Sequence, residues 1–191
     1  MRIVVGISGS SSPIYGIRTL MALRDAGVET HLVLSRGARR TVALETTYSP
    51  GDVEALATVV HAPENVAASI ASGSFVTGGM VVAPCSMKTL AAIAYSFSDD
   101  LLVRAADVTL KERRRLVLVP RETPLHLGHL RNLVRAAELG AVVLPPVPAF
   151  YAAPKSIEDL VDHTVGKILD QLGVEHALYR RWSGAAPADD P

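Results

Sequence analysis

The sequence predicts one α/β domain built on a doubly wound, parallel sheet of the Rossmann or flavodoxin-like class, flanked by helices. Short runs of Val, Ile and Leu recur between stretches of helical periodicity, which is typical of strands buried on both faces of a sheet. The connections between these segments are short, as in alternating β and α units. The length, 191 residues, is that of one compact domain.

The elements follow one another along the chain. Five apolar runs are the predicted strands: Ile3–Ile7, Thr30–Leu34, Met80–Ala83, Leu116–Val119 and Ala141–Leu144. The predicted helices are Ile14–Ala26, Ser86–Phe97, Leu101–Arg113, Leu127–Leu139 and Ser156–Leu172. Glycine follows the first and last of these helices directly, and glycine is favoured just past a helix end. We expect the folded domain to span residues 1–182 and residues 183–191, "SGAAPADDP", to be a disordered tail.

Charge and cysteine content narrow the function classes. The formal net charge is zero, which gives no reason to expect nucleic acid or an anionic membrane as a partner. Cys85 is the single cysteine, so a disulfide framework is excluded and a reducing compartment is favoured. No apolar run approaches the ~20 residues of a membrane span, and no targeting segment is recognised. We expect a soluble, cytoplasmic protein.

The loop after the first strand, "SGSSSP", leads directly into a helix. It offers backbone N–H groups at a helix amino end and the hydroxyls of Ser10, Ser11 and Ser12, and both features favour a phosphate. The loop is not a Gly-x-Gly-x-x-Gly motif and lacks the lysine of a P-loop. An ordinary N-capping turn is the alternative. No acidic residue closes the second strand at Ser35, which makes NAD an improbable ligand.

The loop after the third strand, "PCSMKT", brings Ser86, Lys88 and Thr89 to the start of a helix. Lysine in a first helical turn opposes the helix dipole, so its presence favours an anionic ligand, with a surface lysine as the alternative. Cys85 has no histidine close in sequence, and a buried, inert thiol is the expected state.

Charged side chains recur near the later strands. Arg104 and Lys111 share a helical face and suit a phosphate monoester, although Asp107 between them also allows an ion-pair ladder. Glu45 and Glu122 lie near strand ends, where carboxylates can exchange protons, but either could be a surface charge. His126 and His129 have zinc-ligand spacing without a recognisable third ligand, so no metal site is predicted.

Taken together, these segments resemble the UbiX-type flavin prenyltransferases, and most closely the B subunits associated with phenolic-acid decarboxylases. The resemblance extends from about residue 2 to residue 182. Its most specific stretches are "APCSMKTLAAIA", "RAADVTLKERRRLVLVPRETPLHLGHL" and "GAVVLPPVPAFYAAPKSIEDLVDHTVGKILDQLG".

The resemblance implies an activity. The dimethylallyl group of dimethylallyl monophosphate would be joined to N5 and C6 of reduced FMN without a metal, and the prenylated FMN would serve a UbiD-type decarboxylase. It also implies a homo-oligomer, a dodecamer in relatives. The residues that it assigns to FMN are Gly9, Ser10, Ser11, Ser35, Ser86, Met87, Lys88, Thr89 and Arg121. Those that it assigns to the donor phosphate, some of them from a neighbouring subunit, are Arg104, Lys111, Tyr151 and Lys167. Ser11, Glu45 and Glu122 would manage protons, and Lys111 would assist catalysis.

Several positions depart from the family pattern, beginning with Ser10, which replaces an alanine of the first loop, and Ile14, which follows Pro13 in place of a usual family residue. Ser12 replaces a glycine of the first loop and would be strained if that position required a positive φ. Pro13 follows it and has no N–H to donate. Lys167 stands where arginine is also common, which keeps the charge and loses the bidentate fork.

Two alternatives remain open. A distorted first loop would favour an FMN-binding accessory subunit of a phenolic-acid decarboxylase. A flavin-dependent cysteine decarboxylase is disfavoured, because "PCSMKT" stands in place of an Asn-containing "PASANT"-like segment and no histidine occurs between Met1 and Thr30.

Overall fold

The computed structural model of the protein describes residues 1–181. Within them, the strands are β1 (Arg2–Ile7), β2 (Glu29–Leu34), β3 (Val59–His61), β4 (Gly79–Cys85), β5 (Arg115–Pro120) and β6 (Val142–Val143). The α-helices are α1 (Ile14–Asp25), α2 (Arg36–Glu45), α3 (Pro50–Glu54), α4 (Met87–Ala94), α5 (Leu101–Lys111), α6 (Leu127–Glu138) and α7 (Ile157–Leu172). Short 3-10 turns cover Ser69–Ala71 and Phe150–Ala152.

The strands form one parallel sheet in the order β3-β2-β1-β4-β5-β6. The chain winds outward from β1 to β3, returns to the centre, and then winds the other way from β4 to β6. The loops after β1 and β4 therefore diverge, and a crevice opens between them at the carboxyl ends of the strands. The predicted doubly wound fold is confirmed.

Two hydrophobic clusters cover the two faces of the sheet. Ile3 and Val5 of β1 pack with helices α1 and α7. Val4, which points to the other face because side chains alternate along a strand, packs with α4 and α5. The helices α5 and α7 therefore lie on opposite sides of the sheet, which matters for the site.

Four predicted strands agree with β1, β2, β4 and β5 to within two residues, while β6 is shorter than predicted. The edge strand β3 was not predicted, because three half-exposed residues are too short to show a period. The helix predicted over Ser86–Phe97 ends at Ala94. Ser96 there has a φ of +54°, which an α-helix cannot include.

The predicted tail at 183–191 and the last domain residue, 182, lie outside the described residues. No helix within the described part of the chain has the length and apolar character to cross a membrane.

Candidate active site

The loops after β1, β4 and β5 are joined by serine hydroxyls. The Ser8 hydroxyl donates to the carbonyl of Pro84 at 2.8 Å and accepts the N–H of Ser86 at 2.7 Å. The Ser10 hydroxyl donates to the carbonyl of Arg121 at 2.7 Å. Ser8 and Ser10 are buried. Three loops that are distant in sequence are therefore held in one arrangement at the switch point of the sheet.

Two glycines of this region permit close backbone contacts. A Cβ atom on Gly9 would lie 2.9 Å from the Cα atom of Gly37, so the first loop touches the amino end of α2. A Cβ atom on Gly16 would lie 2.2 Å from the carbonyl oxygen of Ala83, so α1 packs directly on β4. Side chains at these positions would push the loop and the helix away from the crevice.

The crevice has a volume of about 660 Å³, within the range of small-molecule sites. The helices α2, α4 and α5 begin at it, with side-chain caps from Ser35, Ser86 and Asp100, which accept N–H groups at 3.1, 3.3 and 2.9 Å. Helix amino ends carry partial positive charge and favour a bound phosphate. The residues that line the crevice are Gly9, Ser35, Arg36, Gly37, Pro63, Glu64, Ser86, Lys88, Thr89, Asp99, Asp100 and Leu102.

Five of the residues predicted to hold FMN therefore share this lining: Gly9, Ser35, Ser86, Lys88 and Thr89. The others, Ser10, Ser11, Met87 and Arg121, lie in the adjoining loops and at the start of α4. Lys88 faces Asp99, with Nζ 3.5 Å from a carboxylate oxygen. This ion pair is exposed, so exchanging Asp99 for a ligand phosphate costs little.

Sequence reasoning missed several lining residues. Pro63 and Glu64 follow β3, so missing that edge strand also concealed its loop. Asp100 was available as a signal, because aspartate directly before an apolar helix is a common N-cap.

At the end of the first loop, Ser11 and Glu45 are in contact. The Ser11 hydroxyl donates to Oε2 of Glu45 at 3.0 Å, and the N–H of Ser12 donates to the same oxygen at 2.7 Å. Ser12 has a φ of +69°, so the positive φ considered for this position is present. Pro13 precedes α1 with a φ of −59°, the value that its ring imposes. The substituted loop thus keeps the course that a glycine would allow and presents Ser11 to a carboxylate.

Glu122 directly follows Arg121 in the loop after β5. Its carboxylate accepts the N–H of Thr123 at 3.0 Å, and its side chain is exposed. Glu122 therefore lies at the same edge of the sheet as Ser11.

Two other sequence candidates have structural roles. Cys85 is completely buried at the end of β4, and burial raises the pKa of its thiol to about 12, so the expected inert thiol is confirmed. His126 caps α6, where its Nδ1 atom accepts the N–H of Gly128 at 3.0 Å, and its ring lies 3.6 Å from that of His129.

A single chain does not bring the four predicted phosphate ligands together. Arg104 and Lys111 belong to α5, whereas Lys167 belongs to α7 on the opposite face of the sheet. Arg104 donates to Asp107 at 3.0 Å, so the ion-pair alternative describes this residue in one chain. Lys111 contacts Glu112. Lys111 is the last residue of α5. It lies about 16 Å from the first residue of that helix, which is at the crevice, and is therefore at the amino edge of the sheet.

Lys167 belongs to α7, and Tyr151 lies in the 3-10 turn that precedes this helix. The Tyr151 hydroxyl is 2.9 Å from Nε2 of His163. The ammonium group of Lys167 lies 3.5 Å from Asp170. Both residues therefore lie on the α7 side of the sheet, whereas Arg104 and Lys111 of the same chain lie on the other side.

The doubly wound sheet and the three helix amino ends at its switch point define a nucleotide-binding α/β protein. Residues 1–169 match the family model described as Flavoprotein. The flavin prenyltransferase UbiX of Thauera aromatica is 60% identical over 96% of this chain and 95% of its own length. That of Escherichia coli (strain K12) is 57% identical over 96% and 99%. The chain belongs to the UbiX family of flavin prenyltransferases.

Solved structures agree with this family. The crystal structure of AnUbiX in complex with FMN and dimethylallyl pyrophosphate has a TM-score of 0.95 and 54% identity, covering 97% of this chain and 98% of the other. A dodecameric FMN-dependent UbiX-like decarboxylase from Escherichia coli O157:H7 has a TM-score of 0.94 and 51% identity, over 96% and 100%. The FMN-dependent cysteine decarboxylase TvaF has a TM-score of 0.62 at 18% identity over 91% and 98%, a likeness of fold alone.

Proposed function

We propose that the protein is a flavin prenyltransferase that joins the dimethylallyl group of dimethylallyl monophosphate to N5 and C6 of reduced FMN. Relatives at 57–60% identity over nearly their full length bear the name of this activity, and the structure of a neighbour at 54% identity holds FMN and dimethylallyl pyrophosphate. The observation in this chain that carries the proposal is the contact of Ser11 with Glu45 beside a crevice suited to a nucleotide.

The crevice is the proposed site of FMN. The amino ends of α2 and α4, with the hydroxyls of Ser35, Ser86 and Thr89, provide donors for the flavin phosphate. Lys88 adds a positive charge when it leaves Asp99. Gly9 keeps the backbone of the first loop close to the ligand, while Ser10 and Arg121 hold the loops beside it. Met87, in the first turn of α4, completes the predicted flavin contacts.

The chemistry requires a group that both accepts and donates a proton. The first bond forms at N5, which gives up its proton, as the allylic C–O bond breaks and the phosphate leaves with the bonding electrons. The second bond joins C6 to the former alkene, which takes up one proton while C6 gives one up. Glu45, linked to the Ser11 hydroxyl, has the proton-transfer capacity for these steps, and Glu122 at the same edge is the second proposed carboxylate.

The donor phosphate needs fixed cations, because negative charge develops on it as the C–O bond breaks. We assign Tyr151 and Lys167 to this phosphate from one chain, and Arg104 and Lys111 from a neighbouring copy, since α5 is on the wrong face within one chain. Lysine and arginine neutralise a monophosphate without a metal.

A homo-oligomer follows from this assignment, and we propose the dodecamer of the family. The relative from Escherichia coli O157:H7 is dodecameric. The helix α6 also exposes an apolar stripe, with Leu127, Leu130 and Val134 between 45 and 59% exposed. Apolar stripes of this kind are characteristic of protein interfaces. We further propose a cytoplasmic location and a UbiD-type decarboxylase as the recipient of the product.

The accessory-subunit alternative depended on a distorted first loop. Ser12 adopts a positive φ and Ser11 contacts Glu45. These observations favour catalysis over flavin binding alone.

The direct test is an anaerobic incubation of the purified protein with reduced FMN and dimethylallyl monophosphate, with the diphosphate in a parallel reaction. Mass spectrometry of the flavin is expected to show the gain of one prenyl unit from the monophosphate. Oxidised FMN, which cannot accept the group in this way, serves as the control. Unchanged FMN after long incubation with both donors would refute the proposal. Product from the diphosphate alone would correct the identity of the donor.

A further inference from the structure

Tyr151 is an exposed tyrosine whose hydroxyl is directed back toward the protein. It lies in the 3-10 turn Phe150–Ala152, and 67% of the residue is exposed. Its hydroxyl nevertheless lies 2.9 Å from Nε2 of His163, a residue of α7 that is only 8% exposed. The two rings meet edge to face, with their centroids 5.7 Å apart. The hydroxyl of an exposed tyrosine is thus anchored to a buried side chain.

His163 is itself held from the other side. The ring of Tyr179 lies 4.6 Å from the ring of His163. Gly166 makes this approach possible, because a Cβ atom there would lie 2.5 Å from Cδ1 of Tyr179. The Tyr179 hydroxyl donates to Asp170 at 2.5 Å. Asp170 also accepts hydrogen bonds from His176 and Arg181, so the segment after α7 is fastened to the helix.

We propose that His163 is a positioning residue for the prenyl donor, acting through its hydrogen bond to Tyr151. This inference rests on the proposed function, in which Tyr151 contacts the phosphate of the donor. Lys167 follows His163 by four residues, one turn along the same face of α7. A rigid Tyr151–His163 pair beside Lys167 therefore places a hydroxyl and an ammonium group for one phosphate.

The direction of the hydrogen bond decides what Tyr151 can do. If Tyr151 donated to His163, its single proton would be used and its oxygen could only accept. A phosphate offers acceptors, so Tyr151 must keep its proton for the ligand and receive a hydrogen bond from the imidazole. Burial and the nearby Lys167 lower the pKa of His163, although Asp170 opposes this, and a lowered pKa favours the neutral ring. The neutral tautomer with a proton on Nε2 meets the requirement.

The test measures donor binding without turnover. The oligomeric enzyme is loaded with oxidised FMN, and dimethylallyl monophosphate is titrated calorimetrically into wild type, His163→Phe, Tyr151→Phe and the double variant. We expect each single variant to weaken binding about tenfold, the effect of losing one hydrogen bond to a charged group. The double variant is expected to bind no more weakly than either single variant, because His163 acts only through Tyr151.

Two further variants separate positioning from structural damage. His163→Gln keeps a side-chain donor and is expected to restore most of the affinity. His61→Phe is the matched control, since His61 also forms a 2.9 Å hydrogen bond, with His31 near the other edge of the sheet. Its affinity for the donor is expected to equal that of wild type. With reduced FMN, His163→Phe is expected to raise KM for the donor about tenfold, with a change in kcat of less than about threefold.

The outcomes distinguish this inference from the proposed function. Wild-type affinity in His163→Phe, additive losses in the double variant, or no donor binding by wild type would overturn the role of His163. If all variants bind the donor as expected but wild type forms no prenylated FMN, the prenyltransferase activity would be refuted. The role of the Tyr151–His163 pair in positioning a phosphate would then still stand.

Discussion

The crevice at the carboxyl edge of the sheet and the predicted phosphate ligands are built in different ways. The crevice is complete within one chain, because Ser8 and Ser10 join three loops by bonds of 2.7–2.8 Å and Gly9 touches Gly37. The phosphate ligands are divided between α5 and α7, on opposite faces of the sheet. One region depends on the fold of a chain, and the other depends on how chains assemble.

This difference gives the two regions different sensitivities. Changes at the crevice act on every chain separately. Changes in the phosphate ligands act on a neighbour's site or through side-chain networks that hold the ligands in place. Substitutions at Glu45, Lys111 and Asp170 separate these two behaviours.

Replacement of Glu45 by glutamine tests the crevice region. The variant keeps an acceptor for Ser11 and Ser12 but loses the capacity to accept a proton. We expect the rate of prenylated FMN formation to fall about 10²–10⁴-fold, the usual contribution of a general acid–base group. FMN affinity is expected to stay within about twofold, since Glu45 is not part of the crevice lining.

The measurement is an anaerobic single-turnover reaction followed by mass spectrometry. Glu54→Gln is the matched control, because Glu54 of α3 forms an ion pair at the surface with Arg39 of α2. A rate in Glu45→Gln equal to that of the control would remove Glu45 from the mechanism.

Replacement of Lys111 by methionine tests the assembled region. The loss of a cation at the leaving phosphate is expected to lower turnover about 10²-fold or more. Chains carrying Lys111→Met and chains carrying Glu45→Gln are then unfolded, mixed in equal amounts and reassembled. About a quarter of the sites then combine an intact Glu45 with an intact Lys111 from the neighbour, if assembly is random.

Activity of the mixed oligomer is therefore expected at about a quarter of the wild-type value. Each variant reassembled alone is the control. A mixture that stays as inactive as its parents would show that both residues serve the site of their own chain, contrary to the division between α5 and α7.

Asp170 tests the network beside Lys167. Burial alone would raise the pKa of this carboxyl, but hydrogen bonds from Arg181, Tyr179 and His176 hold it well below its ordinary range. A depressed pKa in the folded state stabilises the fold above the pKa of the unfolded chain, and this contribution is lost as the pH falls. Asp170→Asn is expected to lower the free energy of unfolding by roughly 1–2 kcal/mol at pH 7.

The difference from wild type is expected to shrink as the pH falls below about 4, the ordinary pKa of aspartate. Urea unfolding at fixed protein concentration, at pH 7 and at pH 3.5, measures it. The exposed Asp25→Asn variant controls for the general loss of a negative charge. A difference that persists unchanged at the lower pH would mean that packing, and not the charge of Asp170, stabilises this segment.

Much of the fold and of the crevice could be predicted from the sequence. The buried strands are continuous apolar runs, so β1, β2, β4 and β5 were located closely. Because "SGSSSP" and "PCSMKT" each follow a strand of a parallel sheet, both were expected at its carboxyl edge. The strand β3 gave no such signal, and Pro63 and Glu64 were missed with it. Spacing showed that Arg104 and Lys111 share a helical face. It could not show that this face lies across the sheet from Lys167, because that depends on tertiary packing.

The His163–Tyr151 contact was equally hidden. The two residues are twelve positions apart, with a proline-containing turn between them, and no local period connects a turn to the helix that follows it. Pairs of this kind arise when the chain folds back, and sequence patterns with helical or strand periods do not record them.

The smallest predicted effect concerns Ser12, in the loop after β1. Its φ of +69° is unfavourable for serine and free of cost for glycine. Ser12→Gly removes this strain but gives the unfolded chain more freedom. We expect a net gain of roughly 0.5 kcal/mol in the free energy of unfolding and a prenylation rate within about twofold of wild type. Ser96→Gly is the matched control, because Ser96 has a φ of +54° at the end of α4. Equal stabilisation of both variants would mean that only the backbone matters at these positions. A loss of stability in Ser12→Gly alone would show that the Ser12 hydroxyl helps to hold the loop, so that the loop beside the crevice depends on that side chain as well as on its backbone.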